Sequence, residues 1–395
     1  MSPNAAIPSL MPTYSRIDLA FERGEGAWLY THDGRRFLDF TSGVAVNGLG
    51  HCHSHLVKTL QEQAARLWHV SNLFRIDEAE RLADRLVAHS FAETVFVCNS
   101  GAEAMEACIK VARRFQFCRG QPERNRIITF EGGFHGRTMA TISAVGGQRL
   151  TEGFAPLLDG FDHVPFADHD ALEAAVTEQT AAIMIEPVMG EGGARPIPKV
   201  CLEGLRALCD RHDILLIFDE VQSGMGRTGH LFAHQAMGVT PDIMGLAKGL
   251  GGGFPIGACL ATARAASGMT AGTHGSTFGG NPLGSAVASA VLDVMLEDGF
   301  LAGIVERGRY MRERAESVVE RHPHVFELAR GAGMLLGLKA RGNNVDVVSG
   351  LRARGLLTAP AADNIVRLLP PLTITLSEID TAIEAIEAYC AEQTA

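Results

Sequence analysis

Between residues 94 and 261 the chain alternates short apolar runs with stretches of helical period, a pattern that leaves few folds open. The apolar runs are Thr94–Cys98, Arg126–Phe130, Ala181–Glu186, Ile214–Asp219, Asp242–Ala247 and Gly257–Ala261. Helical stretches such as Ala102–Phe117 and Leu202–His212 lie between them. A strand that is apolar at every position is buried on both faces, and intervening helices supply the cover. The sequence therefore predicts an α/β fold on a mostly parallel sheet with helices on both faces. In such sheets ligands bind beyond the carboxyl ends of the strands.

The pattern changes near Pro282. Helical stretches at Leu283–Glu297 and Ile304–Arg321 lead into short strands around Met334–Leu338, Leu356–Thr358 and Ile365–Leu368, and a last helix starts near Ser377. This reads as a smaller α+β unit. Near the start, Ala27–Thr31 and Arg36–Phe40 flank Asp33-Gly34, a hairpin signal. At 395 residues about two or three domains are expected. The boundaries read as an N-terminal segment 1–45 packing with the small domain, a large domain 46–285 and a small domain 286–395.

Composition narrows the function. The formal charge of −10 argues against nucleic-acid binding, so anionic metabolites would have to be met by a few placed arginines. No apolar run is long enough to span a membrane, and residues 1–12 do not read as a signal peptide. Eight scattered cysteines with no Cys-x-x-Cys pair fit a reducing cytoplasm and small buried hydrophobes.

Two strand ends carry the strongest chemical signal. In Ile214–Gln222 a buried strand closes on Asp219, whose carboxylate needs a cationic or hydrogen-bonding partner. A protonated pyridine nitrogen would be such a partner and would keep its ring an electron sink. The next strand runs into Lys248 and then glycines. A lysine there can lose its proton by desolvation and form a Schiff base with an aldehyde. A lone lysine before a loop is ordinarily a surface group; pairing with Asp219 sets this one apart. Ser100-Gly101-Ala102-Glu103 opens a helix after a strand, a place for phosphate. Phe134 and Arg137 offer a flat ring for stacking and a fork for a carboxylate, although core and surface roles are the ordinary ones.

Two motifs point elsewhere. Gly224–Gly229 fits G-x-G-x-x-G, but no clean βαβ unit surrounds it, which disfavours a nicotinamide site. His51, His53 and His55 alternate as zinc ligands would, yet no second ligand cluster accompanies them, so no metal is expected.

Taken together, these segments resemble the class III (subgroup II) aminotransferases, and within them the acetylornithine aminotransferases. The resemblance runs almost end to end, through residues 38–53, 99–110, 130–138, 185–193, 217–229, 241–257 and 274–282. It implies a fold type I enzyme dependent on pyridoxal 5′-phosphate (PLP). Lys248 would hold the cofactor and shuttle the proton, and Asp219 would pair with the pyridine nitrogen. Gln222 would approach the ring hydroxyl, Phe134 would stack on the ring, and the amides of Gly101 and Ala102 would hold the phosphate. Glu220 and Val221 complete the implied cofactor set. Thr277 would bind the phosphate of a neighbouring subunit's cofactor, implying a homodimer with shared sites, and Ser276 would lie near the substrate. Arg137 matches the residue that takes the carboxylate far from the reacting amine. Arg367 matches the one that binds the α-carboxylate of glutamate or 2-oxoglutarate, and Glu191 its movable counter-ion.

The chain departs from the family at Ala102, where threonine is usual, at Met189 for glutamine and at Met105 for asparagine. The implied reaction transfers the terminal amino group of N2-acetylornithine to 2-oxoglutarate, in arginine biosynthesis. Its rivals are the ornithine, succinylornithine, succinyl-diaminopimelate and 4-aminobutyrate aminotransferases, a catalytically silent homologue, and a nicotinamide oxidoreductase.

Overall fold

The computed structural model describes residues 9–393. The first strands, β1 (Phe21–Glu25), β2 (Trp28–Thr31) and β3 (Arg36–Asp39), form an antiparallel meander. Next come β4 (Thr94–Cys98), β5 (Arg126–Phe130), β6 (Phe161–Val164) and β7 (Thr180–Ile185). A two-stranded ribbon, β8 (Val188–Met189) with β9 (Arg195–Pro196), precedes β10 (Leu215–Asp219), β11 (Ile243–Leu246) and β12 (Gly257–Ala261). The seven longer strands of this set build one sheet in the order β4-β12-β11-β10-β7-β5-β6.

The parallel expectation holds except at one strand. β12 is antiparallel to both β11 and β4. Only the segment 247–256 separates it from β11, and it contains a single short 3₁₀ turn, Lys248–Leu250. A parallel return needs a crossover of a dozen or more residues, so the chain folds straight back.

Burial on both faces explains the continuous apolar strands. Along β10, Leu215 and Ile217 face a cluster with Met105, Cys108 and Ala112 of the helix Gly101–Cys118. Leu216 and Phe218 face the other way, onto Leu202, Leu205 and Leu208 of the helix Lys199–His212. The period-2 alternation is intact, but both faces are core.

After the helices Pro282–Met295 and Phe300–Arg321 a second sheet follows. It contains β13 (Phe326–Ala332) and β14 (Leu335–Ala340), then, after the short strand β15 (Leu356–Leu357), β16 (Ala359–Ala361) and β17 (Ile365–Leu368), in the order β13-β14-β17-β16. β15 pairs with β3 instead, Leu356 opposite Leu38, and so ties the start of the chain to its last third. The closing helix, Leu376–Ala391, begins earlier than its sequence suggests. Thr375 caps it: the Glu378 N–H donates to Thr375 Oγ1 at 3.2 Å and the Thr375 N–H donates to Glu378 Oε2 at 2.9 Å. The reciprocal capping box outweighs the isolated serine at 377.

Phe218, fully buried in the central strand, gives a measure of this core. Phe218→Ala is expected to destabilise the chain by about 3–5 kcal/mol, seen as a lower denaturant midpoint at an unchanged slope.

Candidate active site

The carboxyl ends of β4, β10 and β11 open on one cavity of about 350 Å³, lined among others by Gly101, Ala102, Phe134, His135, Glu186, Asp219, Gln222 and Lys248. Reversal of β12 brings Phe254 to Ile256, which precede it, to the same edge. Chemistry-bearing residues separated by more than a hundred positions thus meet because strand ends meet.

Asp219 closes β10 and is 4% exposed. Its Oδ2 lies 2.8 Å from His135 Nδ1, and its Oδ1 accepts the Val221 N–H at 3.0 Å. Burial lowers the pKa of His135, but the hydrogen bond and charge of Asp219, aided by Glu186, leave it raised on balance. The imidazole is thus held with a proton towards the carboxylate.

Glu186, one residue beyond β7, is a second buried carboxyl. Its Oε1 accepts the Phe134 N–H at 2.9 Å and its Oε2 the Gly190 N–H at 3.0 Å. Burial, followed by the charge of Asp219, pushes its pKa up to about 7. Neither His135 nor Glu186 was singled out from sequence. The available signal for Glu186 was the one that found Asp219, a carboxylate at the end of an apolar strand.

Lys248 follows β11 with a left-handed backbone, φ +44, a conformation that costs a non-glycine residue about 1–2 kcal/mol. Burial lowers its pKa; Glu191 opposes that, Arg367 adds to it, and Glu186 and Asp219 oppose it more weakly. The amine is therefore easier to deprotonate than an ordinary lysine.

The helix Gly101–Cys118 points its amino end into the cavity. Ser100 caps it through the Glu103 N–H at 3.3 Å, while the first-turn N–H groups have no intrahelical acceptor. A Cβ on Gly101 would sit 2.9 Å from Val221 Cγ1, so glycine lets the helix start press against the Asp219 loop.

Arg367, from the middle of β17, is 2% exposed. Its Nη1 donates to Glu191 Oε1 at 2.5 Å and to Gln222 Oε1 at 3.2 Å, its Nη2 donates to Pro360 O at 3.3 Å, and its Nε has no partner. Glu191 sits in the turn between β8 and β9, its side chain 34% exposed. The pair thus joins a buried cation to a half-exposed anion.

Other expected residues lie at the margins. Arg137 is exposed and lines a neighbouring cavity of about 810 Å³ that shares Phe134 and Glu191 with the first. Its guanidinium lies 5.5 Å from the centre of the Phe134 ring. Ser276 stands behind the cavity wall, its Oγ accepting from Asn99 Nδ2 at 3.0 Å. Thr277 is exposed and outside the cavity lining. Glu220 turns away, its carboxylate accepting the Ala233 N–H at 2.5 Å and the His234 N–H at 2.8 Å at the start of the next helix.

The two contrary motifs have other partners in the fold. His51 bonds Asp39 and His55 bonds Asp293, each at 2.8 Å. No group of three potential metal ligands occurs among the described residues. Gly224–Gly229 forms turns, and the next helix begins only at Ala233.

Comparison with known proteins identifies the family. The class-III aminotransferase model matches residues 10–390, and the chain belongs to that family. It is an aminotransferase by that membership. It is 56% identical over 391 residues to the acetylornithine aminotransferase of Agrobacterium fabrum, covering 99% of this chain and 98% of the relative. To that of Mesorhizobium japonicum it is 58% identical over 380 residues, covering 96% and 95%. Among solved structures, the ornithine aminotransferase of Toxoplasma gondii, with PLP at partial occupancy in its active site, aligns at a TM-score of 0.92 and 30% identity, covering 97% of this chain and 92% of its own.

Glu186 supplies a test of these electrostatics. The folded state holds this proton more tightly than an unfolded glutamate does. Its stabilising contribution is therefore present below the ordinary 4.5 and is lost as the pH rises through about 7. Glu186→Gln, neutral throughout, should remove that loss. The stability of the native chain relative to the variant should fall between pH 5 and pH 8 in denaturant titrations. A constant difference would mean that Glu186 ionises as it does in water.

Proposed function

We propose that the chain uses PLP to transfer the terminal amino group of N2-acetyl-L-ornithine to 2-oxoglutarate, yielding N-acetyl-L-glutamate 5-semialdehyde and L-glutamate, a step of arginine biosynthesis. The observation that carries this reading is the Arg367–Glu191 pair beside Lys248 and Asp219. A site that must accept a monocarboxylate amine and then a dicarboxylate needs an arginine that is neutralised in one half of the cycle and free in the other. The names of the full-length relatives support the choice of donor.

The residues present fit the cofactor. The cavity offers a helix amino end for a phosphate, an aromatic face at Phe134, a buried carboxylate for a protonated ring nitrogen, and a lysine with a lowered pKa. When bound, PLP supplies an electron sink for the carbon that carries the transferred nitrogen. Asp219, oriented by His135 and the Val221 N–H, would hold charge opposite the ring nitrogen. The Lys248 Nζ would take the proton from the substrate carbon and pass it to the cofactor carbon, and would carry a proton the opposite way in the second half-reaction. Gly101 and Ala102 would bind phosphate through their N–H groups, and Gln222 would meet the ring hydroxyl.

Arg137, at the edge of the second cavity, takes the carboxylate of the acylated diamine, whose free amine then reaches inward. Glu191 keeps Arg367 neutralised meanwhile, because an unpaired guanidinium in that setting is costly. For the second substrate Glu191 leaves and the α-carboxylate of 2-oxoglutarate takes its place. The half-exposed setting of Glu191 makes that exchange cheap compared with moving the buried arginine.

A homodimer belongs to the same reading. Trp68, Phe74 and Phe278 are large exposed apolar residues, and Trp68 and Phe278 line a depression that shares Asn99 and Phe254 with the main cavity. A second copy on this face would cover them and bring its Thr277 to the phosphate. Of the division into units 46–285 and 286–395 with residues 1–45 joined to the latter, the β3–β15 pairing supports the joining, while the helix Pro282–Met295 runs across the 285/286 boundary. All eight cysteines are free thiols, which supports a reducing cytoplasm. No helix among the described residues is long and apolar enough to cross a membrane.

The purified protein supplied with PLP should show visible absorption that collapses on adding N2-acetylornithine. Lys248→Ala should lose both the band and turnover. A native band that ignores N2-acetylornithine and responds to ornithine or 4-aminobutyrate would change the donor and keep the chemistry. No band at all would overturn the cofactor. Sedimentation should give twice the chain mass at micromolar concentration, and a monomer with full turnover would refute the shared site.

A further inference from the structure

The glycine-rich turn that mimics a dinucleotide fingerprint carries a buried cation with no anion beside it. Arg227 is 2% exposed and forms no ion pair among the described residues; burial alone acts on its charge, lowering the pKa to about 10. Its Nη1 donates to Met334 O at 3.2 Å and to Pro370 O at 2.6 Å. The Met334 N–H donates back to Arg227 O at 2.9 Å. The two backbones are in contact here. A Cβ on Gly333, φ +55, would lie 2.6 Å from the carbonyl carbon of Thr228.

The two carbonyls flank neighbouring strands, one of which carries Arg367. Met334 immediately precedes β14, which pairs with β17 so that Gly337 stands opposite Arg367. Pro370 follows β17. The same loop, leaving β10 at Asp219, also carries Gln222, which accepts from Arg367 Nη1 at 3.2 Å. It therefore grips the arginine strand at the guanidinium and again at the backbone. A buried guanidinium satisfied only by carbonyls is an expensive way to fill space, since an apolar side chain of similar size needs no partners. A planar fork is suited to holding oxygens from two separate strands.

We propose that Arg227 is a positioning residue that sets the distance between the Lys248–Asp219 centre and Arg367, and thereby the fit of the acceptor carboxylate. The proposal rests on the assignment of Arg367 above. Its consequence is selective. Loosening the latch displaces the group that receives 2-oxoglutarate and leaves Arg137, which follows β5 of the other sheet, where it was. A displacement of about 1 Å at a substrate-orienting group is worth up to about a hundredfold in rate.

The test uses full-length Arg227→Met and Arg227→Lys with PLP bound, and two readouts. Amide exchange along residues 365–372 reads the latch itself, whatever the enzyme turns over. It should quicken about tenfold or more in the Met variant, as expected when a local opening becomes easier. Single-turnover half-reactions read the consequence. The concentration of 2-oxoglutarate giving half the maximal rate should rise about tenfold, while the amine half-reaction stays within about twofold. Arg227→Lys, which keeps a cation able to donate to one carbonyl, should fall between the Met variant and the native chain. If the Met variant does not fold, the Lys variant decides through the same skew. Unchanged exchange overturns the latch. Faster exchange with both half-reactions impaired equally overturns the positioning role and leaves only a structural one. A native chain that does not use 2-oxoglutarate sinks the assignment of Arg367, and exchange still decides whether the latch exists.

Discussion

Asp219 ends the central strand of a seven-stranded sheet, where removing an ionised carboxylate from water costs several kcal/mol unless partners replace the water. Two partners come from the chain, His135 and the Val221 N–H. Their placement dictates much else. His135 must leave β5 at the right height, so the loop carrying it is held by the Phe134 N–H on Glu186. That second carboxyl, buried and in the field of the first, then holds its proton more tightly than an exposed glutamate does. One buried charge is thus met by a histidine, a second carboxyl and a backbone turn in a fixed arrangement. It remains an incomplete one, since a carboxylate facing an open cavity is poised for a cation that enters.

How much of this could be read in advance followed from whether the signal was local. Asp219 and Lys248 stood out because each interrupts an apolar run at its carboxyl end, a contrast visible within ten residues. The strands Thr94–Cys98, Arg126–Phe130, Gly257–Ala261 and Ile365–Leu368 were legible to the residue for the same reason. The direction of β12 was legible only in the length of the segment 247–256 that separates it from β11, too short for a parallel return, and not in its side chains. The partnership of His135 with Asp219 spans 84 positions, and no period or spacing encodes which loops will adjoin. Glu220, placed in the cofactor set by the resemblance, turns its carboxylate onto the N–H groups of Ala233 and His234, an orientation that adjacency to Asp219 does not encode. Likewise the exposed Thr277 lies outside the cavity of its own chain, and the role proposed for it toward a second copy could leave no trace in one chain's fold.

Arg367 and Arg227 make an instructive pair, because burial has opposite uses in the two. Both are 2% exposed. Arg367 has a half-exposed ionic partner, and its Nε has no acceptor among the described residues. Among those residues Arg227 has neutral carbonyls as its acceptors, which cannot be displaced by a competing anion without breaking the backbone contact. On the proposed reading, one arginine is answered by a ligand and the other by the fold.

The electrostatics of the whole chain sharpen that distinction. With a formal charge of −10, the protein's long-range field repels dicarboxylates, so attraction must be short-ranged and confined to the cavity. Pre-pairing Arg367 with Glu191 weakens even that local attraction, and at first sight works against binding. It does so selectively. A ligand that brings a carboxylate to Arg367 loses the energy of the existing pair and regains it, whereas a ligand without one meets a neutral wall and is not rejected for leaving a charge unsatisfied. On the proposed reading, discrimination between two successive substrates resides in an interaction inside the protein. The less this pair is stabilised beyond what one incoming carboxylate can replace, the more evenly both halves of a transamination cycle can run on a single site.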